Sequence, residues 1–290
     1  MAAHFETDNV DLLITQWDYR SELARQAGMT LANTRDSQVA AAVVAACAVA
    51  PLASDPRGLT NSNFPQPVEV STGAPSAADD SVALKILKAI EDYYVFMQEN
   101  DFPVDNVYCV VTPKVFQVIR ALGITRAGDT NAFEKVPLFG TGSEYGGIGA
   151  PLSMGMNMMT DMLTYMGCKI LKSNHLPKTQ LAIGAAKYNL NCSAINLHGF
   201  IFQPEAIAGL SLMGMKVDTV QDIRRNTQFT VASMQKGTGV LRPELCQLLV
   251  GTTSDADADT AAEIDTRAEL AAVVGTNLTN GFAAEYAVTA

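Results

Sequence analysis

The chain has 290 residues, 48% hydrophobic and only 17% charged, against roughly 25% charged in ordinary soluble domains. High hydrophobicity with little charge argues against long-range disorder, and 20 basic against 30 acidic residues argue against a dedicated nucleic-acid binder. A chain with so few charged residues must bury much of its apolar surface, and contacts with neighbouring subunits are one way to bury it.

Cysteine usage and hydropathy bear on the compartment. The five cysteines form no CxxC pair, which is typical of reduced, buried thiols in a cytosol-like compartment. The sequence contains no run of about 18 uncharged apolar residues, so it predicts no membrane span. The first residues lack the basic and apolar regions of a signal peptide. We therefore expect no membrane partner.

The first predicted element is a long helix from Asp8 to Cys47, with no proline and one internal glycine, Gly28. At about 1.5 Å per residue it would span roughly 60 Å, against a diameter of about 50 Å for a compact chain of this length. Either the helix breaks, near Gly28, or the protein is flat and elongated. Glu22 and Arg25 lie three residues apart and can pair on its surface.

Further elements are predicted from periodicity, proline positions and alternation. Strands and helices do not alternate regularly, which favours an α+β fold over a doubly wound sheet. In chain order we expect a short strand at Pro67–Val70, a helix at Ser81–Gln98, a strand at Asn106–Thr112, a helix from Pro113 to about Leu122, a mobile glycine-rich loop at Thr125–Met154, a short Met-rich helix at Asn157–Tyr165, a strand at Cys168–Lys172, a strand within Ala194–Gln203, a helix starting at Pro204–Leu210, long strands over Ser211–Ala232 that bend around Arg224–Asn226, and a last strand at Leu245–Val250.

The C-terminal residues hold much of the negative charge. Residues 253–290 contain seven acidic side chains and one basic side chain, Arg267. The alternating Asp255, Asp257 and Asp259 lack the glycine and distal glutamate of a calcium loop, which favours a solvated acidic segment. We expect an Ala-rich acidic helix at Asp255–Val274 that is only lightly attached.

Candidate chemistry is sparse. The segment Gly140–Gly149 has GxGxxxG spacing and no following Lys-Ser/Thr, so a flexible loop is favoured over a nucleotide site. His4, His175 and His198 share no metal motif, and no GxSxG elbow occurs. We therefore assign no catalytic, cofactor-binding or metal-binding residue and expect no enzyme.

Charged residues are the candidates for subunit contacts. Arg224, Arg225 and Arg242 are isolated bases on or near strands, and could pair either across a subunit boundary or within the chain. The candidate interface residues are Arg20, Glu22, Arg25, Arg224, Arg225 and Arg242.

Four segments carry a resemblance to a known family. The first is Trp17 through Arg20-Ser21-Glu22 and on to an Ala-rich run, and the second is the helix, strand and Pro-opened helix of Ala89–Leu122. Met166-Gly167 with the strand after it and the segment Gly239–Glu244 complete the set. In this shared order the chain resembles the major capsid proteins of short-tailed (podovirus, autographivirus-type) phages, which have the Hong Kong 97 (HK97) fold.

The resemblance implies a domain organisation. Residues 8–50 form the spine helix and, with the long strands 211–236, a peripheral domain; 51–80 are a linker. Residues 81–210, closed by 237–250, form an axial domain with loops around the centres of hexamers and pentamers, and 251–290 are an acidic extension. Family members carry an N-terminal arm and an extended hairpin (the E-loop) before the spine helix. This chain is expected to lack both, as a split product, a fragment or an alternative start.

The resemblance also implies a function. Copies would tile into an icosahedral shell around double-stranded DNA, as a virion capsid assembled in the host cytoplasm with scaffolding and portal proteins. Maturation would expand the shell, with Gly28 as a hinge because glycine weakens a helix by up to about 1 kcal/mol. The alternatives are an encapsulin-type compartment, or a small-molecule enzyme using the glycine segment and His175.

Overall fold

We describe the chain from a computed structural model. It describes residues 1–8, 19–49, 63–71, 80–121, 123–125, 135–137, 162–177, 196–251, 267 and 270. The helices in these residues are α1 (Tyr19–Ala48), α2 (Asp80–Glu99) and α3 (Pro113–Ala121). The strands are β1 (Ala2–Asp8), β2 (Val68–Ser71), β3 (Tyr108–Val111), β4 (Gly123–Thr125), β5 (Lys135–Pro137), β6 (Met162–Tyr165), β7 (Cys168–Lys172), β8 (Asn196–Phe202), β9 (Ile207–Asp222), β10 (Thr227–Val240) and β11 (Cys246–Gly251).

Helix α1 runs unbroken through Gly28, so a break at that glycine is the wrong alternative. Thirty residues at about 1.5 Å each give a rod of about 45 Å. Its first half is largely exposed, whereas every residue from Ala40 to Ala48 is buried. No helix among the described residues is long and apolar enough to cross a membrane.

A six-stranded mixed sheet holds the main core, with strand order β2-β11-β8-β3-β7-β6. The buried half of α1 and the apolar faces of α2 and α3 belong to the same hydrophobic cluster as this sheet. The Tyr93 hydroxyl on α2 donates a 3.1 Å hydrogen bond to the Leu245 carbonyl, just before β11. A Cβ at Gly199 would overlap the Val110 carbonyl, so this close pairing of β8 with β3 requires glycine.

A three-stranded antiparallel sheet, β1-β10-β9, lies against the first half of α1. Leu31 of α1 packs with Ala232 and Met234 of β10 in a second, smaller cluster. The backbone N–H of Met234 donates to the Met1 carbonyl at 3.0 Å, and the Met1 amino group donates to the Met234 carbonyl at 3.0 Å. The helix prediction that began at Asp8 is therefore wrong there, because Asp8 ends a strand that pairs with β10.

The Met-rich helix predicted at Asn157–Tyr165 is wrong over its described part, where Met162–Tyr165 is strand β6. Met166 and Gly167 both have positive φ, 49° and 88°, and form the turn that pairs β6 with β7. Turns with two positive-φ residues match the twist of paired strands, so this turn favours a hairpin over a helix.

The helix predicted from Pro204 is also wrong beyond one turn. Pro204–Ala206 forms a single 3₁₀ turn, and Ile207 already begins β9. Ile207–Leu210 pairs with the end of β10, and this pairing overrides the local helix signal. The two long strands consequently extend beyond both ends of the predicted range Ser211–Ala232.

Two other predictions need revision. Within the loop predicted at Thr125–Met154, Lys135–Pro137 forms a strand that pairs with Gly123–Thr125, and the remaining residues lie outside the described ones. The C-terminal segment is not lightly attached where it is described, because Arg267 and Leu270 are helical and fully buried. Cys47, Cys109, Cys168 and Cys246 are free, buried thiols, as expected. Burial raises the pKa of Cys168 to about 12.

Candidate subunit interface

Strand β9 lies at one edge of the three-stranded sheet, and no described strand pairs with its outer edge. All but three of its 16 residues are exposed. Apolar side chains are prominent among them: Leu210 is 75% exposed, Leu212 81%, and Ile223, just beyond the strand, 89%. Met215, Val217 and Val220 are also exposed. This set of six side chains is called the β9 ribbon below.

The sheet has one face toward α1 and one toward solvent. Alternate residues of β10, such as Thr230 and Ala232, are buried on the α1 side. On the other face the register places Val220, Phe229 and Glu6 side by side. Polar contacts surround these side chains, including a 3.0 Å ion pair from Lys216 to Asp218 and a 2.6 Å hydrogen bond from Thr227 to Glu6. The face thus combines apolar area with a polar border.

The hairpin tip presents two of the predicted interface residues. Arg224 and Arg225 are both exposed between β9 and β10. Asn226 closes the turn with a φ of 52°, and the Arg224 backbone N–H donates to the Asp222 carboxylate at 2.9 Å. A turn fixed in this way holds two guanidinium groups in solvent at the end of the sheet.

Three further candidates lie on the exposed half of α1. Arg25 binds Glu22 through two hydrogen bonds, Nε to Oε2 at 2.8 Å and Nη2 to Oε1 at 2.6 Å. These bonds, followed by one from Gln26, lower the pKa of Glu22 to about 2. Arg20 is half-buried near the start of the same helix. The predicted Glu22–Arg25 pair therefore forms within the chain.

Arg242 has intrachain partners, one of the two alternatives left open by the sequence. It contacts Glu205 at 3.0 Å and the fully buried Glu244 at 2.9 Å. It therefore ties the 3₁₀ turn Pro204–Ala206 to a second 3₁₀ turn, Pro243–Leu245. Gly28, the hinge candidate, has no atom within 4 Å of where a Cβ would lie. A role for these residues between subunits remains a prediction.

The features considered for an enzyme do not converge in the described residues. His4 lies on β1 beside the Phe229 ring, His175 follows β7, and His198 is buried in β8. The segment Gly140–Gly149 lies outside the described residues. In the part of the chain that the structure describes, no three His, Cys, Asp or Glu side chains could hold a metal ion.

Sequence reasoning missed one residue with a dense set of contacts, Arg267. Its guanidinium is fully buried among backbone carbonyls. The signal available in the sequence was a single base in a segment of seven acids. A lone charge of opposite sign is a weak signal, because it is equally compatible with a solvated ion pair.

Comparisons with known proteins place the fold. No protein-family model and no curated protein matches the chain. Among solved structures it is similar to the capsid structure of the cyanophage P-SCSP1u, at 24% identity and a TM-score of 0.63, over 88% of this chain and 72% of that chain. It is also similar to the mature capsid of bacteriophage PhiM1, at 15% identity and a TM-score of 0.64, over 88% and 71%.

A third solved structure is the capsid of an empty GTA particle, at 16% identity and a TM-score of 0.51, over 87% of this chain and 72% of that one. These likenesses show the fold: the chain has the HK97-like α+β architecture of these shells, as predicted. That prediction depended on the shared order of four sequence segments, and the long helix and the long strand pair agree with it.

Proposed function

We propose that this chain is the major capsid protein of a tailed phage, and that its copies form hexamers and pentamers that close into an icosahedral shell around double-stranded DNA. The observation that carries the proposal is the β9 ribbon on a fold found in phage shells. Its exposed apolar side chains lie on both faces of one edge strand, since Val217 pairs with Ala232 and Val220 with Phe229, and a concentration of exposed apolar residues marks an interaction site.

The geometry of the ribbon favours a second copy of the chain as its occupant. Sixteen residues at about 3.3 Å each give an apolar strand of about 53 Å, which is long for a small ligand but suited to a protein surface. Its outer edge, along which no described strand pairs, offers backbone hydrogen bonds as well as apolar contact. Covering each exposed leucine contributes about 1.5–3 kcal/mol.

Two of the predicted interface residues lie where they could form ion pairs at the edge of a contact made by the β9 ribbon. The guanidinium groups of Arg224 and Arg225 form no ion pair with another described residue, so acidic groups of a neighbouring copy are their proposed partners. With a net charge of −10, the shell would enclose DNA without gripping it, and a packaging motor could slide the DNA in.

Finer features belong to the same proposal. We propose assembly in the host cytoplasm with scaffolding and portal proteins, in a phage of the short-tailed, autographivirus type. A second polypeptide that carries an N-terminal arm and an E-loop is proposed as a further partner. Domain limits at 8–50, 51–80, 81–210, 211–236, 237–250 and 251–290 are proposed with it.

Cryo-electron microscopy of particles from infected cells, with mass spectrometry of the intact shell proteins, tests the proposal. We expect this chain in an icosahedral shell around DNA. A shell filled with enzyme cargo instead would support the encapsulin alternative. Absence of the chain from particles would reopen the enzyme alternative, with His175 as its first residue to test.

A substitution in the β9 ribbon tests the interface directly. Leu212→Asp places a charge where the side chain is 81% exposed, so the isolated subunit should fold normally while assembly is lost. Leu212→Met keeps the apolar contact and is the matched control. Sedimentation and electron microscopy measure assembly, and thermal unfolding checks the subunit. Normal particles from the Asp variant would rule the ribbon out as a subunit contact.

A further inference from the structure

Arg267 is a fully buried arginine whose guanidinium donates to backbone carbonyls. Five hydrogen bonds leave its guanidinium, at 2.8 to 3.1 Å. Nε donates to the Pro65 carbonyl, Nη1 to those of Ala46 and Val49, and Nη2 to those of Pro243 and Cys246.

The chemistry of this cage matches one ion. A guanidinium has five N–H donors in a rigid planar fork and keeps its charge in proteins, and here all five donors meet a carbonyl. The Phe64 ring lies 4.9 Å from the guanidinium carbon, where its π-face also favours a cation. Five carbonyl dipoles and a ring thus replace the water that burial removes.

The carbonyls come from places that lie far apart in the sequence. Ala46 lies in the last turn of α1, where the helix carbonyls lack partners four residues on, and Val49 directly follows the helix. The last turn of α1 has no basic residue, so Arg267 supplies the positive charge that a helix C-terminus favours. Pro65 precedes β2, and Cys246 begins β11.

Two neighbouring contacts hold the arginine in register. The Arg267 backbone N–H donates to the Gln66 side-chain oxygen at 3.1 Å. Gln66 in turn accepts, at its own carbonyl, a 3.1 Å bond from the Gln247 side chain of β11. Leu270, three residues on, is fully buried in the main hydrophobic core. The short stretch from Arg267 to Leu270 therefore contacts α1, β11 and the residues before β2.

We propose that the five carbonyls form a guanidinium-binding site, and that Arg267, as its occupant, latches the C-terminal segment onto the junction of α1 with β11. The site recognises a planar cation with five donors. This inference does not depend on the proposed function, because it rests on intrachain contacts alone.

Chemical rescue tests the site. Arg267→Ala empties the cage and leaves five buried carbonyls without their donors, which should lower Tm by roughly 10 °C. Guanidinium chloride, at concentrations far below those that unfold proteins, should restore part of the loss. Sodium chloride at equal ionic strength and urea should not, since one lacks the donors and the other lacks the charge.

Two variants serve as controls. In monomeric subunits, Arg225→Ala removes an exposed arginine and should shift Tm by about 1 °C or less, with no response to guanidinium. Arg267→Lys keeps the charge but loses the fork, so most of the loss should remain. If Arg267→Ala does not fold, refolding it in guanidinium replaces the thermal measurement, and recovery only in guanidinium supports the site.

Hydrogen exchange locates the effect. In Arg267→Ala, peptides covering Ala45–Val49 and 63–66 should exchange faster, while those of β9 and β10 should keep their wild-type rates. An unchanged Tm, rescue by sodium chloride equal to that by guanidinium, or a wild-type Tm in Arg267→Lys would each overturn the proposal. So would failure of guanidinium to recover an unfolded Arg267→Ala variant whose Lys counterpart folds normally.

Discussion

Strands β11 and β9 are both rich in apolar residues, yet their surroundings are opposite. All six residues of β11 are buried, between β2 and β8 in the six-stranded sheet. Thirteen of the 16 residues of β9 are exposed at the edge of the three-stranded sheet. The same helix reaches both regions, contributing nine consecutive buried residues to the first and a sparse contact around Leu31 to the second.

The difference shows that hydrophobic alternation along a strand specifies pairing, while burial depends on what lies against its faces. β11 has described partners on both edges and a helix against it. β9 has one partner strand among the described residues. On the proposed function, the missing contacts of β9 are those that another subunit supplies.

Truncating one leucine in each strand tests the comparison most strongly. Leu249→Ala in β11 removes a fully buried side chain and should lower the free energy of unfolding by about 2–5 kcal/mol. Leu212→Ala in β9 should change it by less than about 0.5 kcal/mol, because that side chain is exposed in the isolated chain. Urea unfolding of the two variants gives both values.

Equal losses in the two variants would erase the contrast between the strands. Such a result would mean that the Leu212 side chain of β9 is already buried within the isolated chain. The Leu212→Ala measurement is therefore made on subunits that sedimentation has shown to be monomeric.

A smaller effect is expected at Gly28, on the exposed half of α1. Gly28→Ala adds a methyl group into open space and removes backbone freedom from the unfolded chain, so stability should rise by up to about 1 kcal/mol. Thermal unfolding measures the gain.

On the proposed function, the same variant should impair expansion of the shell, because the helix is stiffer at the proposed hinge. Electron microscopy of compact and expanded particles provides the readout. Normal numbers of both forms would rule out a hinge at Gly28 and leave the stability prediction intact.

The smallest effect on stability concerns Glu22 and Arg25. The pKa of Glu22 is lowered to about 2 from 4.5, so the pair's contribution is present above pH about 4.5 and is lost as the pH falls toward about 2. Exposed pairs contribute little to stability, so the pKa itself is the sensitive observable. NMR titration should return it toward 4.5 in Arg25→Met, and a value that stays near 2 would show that Arg25 is not the cause.

Local signals predicted many elements in and around the six-stranded sheet from sequence. Pro113 marks the start of α3, and the apolar spacing of Ser81–Gln98 predicted α2 within one residue at either end. The strands Cys168–Lys172 and Leu245–Val250 were also predicted, because compact β-rich runs carry their own signal. For the interface, the Glu22–Arg25 pair followed from helical spacing alone.

Elements that depend on distant partners could not be predicted in this way. β1 is a strand because β10, more than 200 residues away, pairs with it. Arg267 is buried because carbonyls from three other parts of the chain meet its guanidinium. The exposed character of β9 likewise follows from sheet order, which composition does not reveal.

The unbroken helix α1 has a mechanical consequence. Its last nine residues, Ala40–Ala48, are buried in the main core, while its first turns extend along the three-stranded sheet. The helix can therefore act as a lever that pivots at its buried end. Over the arm of about 32 Å from Ala40 to Tyr19, a tilt of about 5° at Ala40 moves the far end by about 3 Å. A small repacking around Ala40–Ala48 therefore produces a larger displacement at Tyr19, the exposed first residue of the helix.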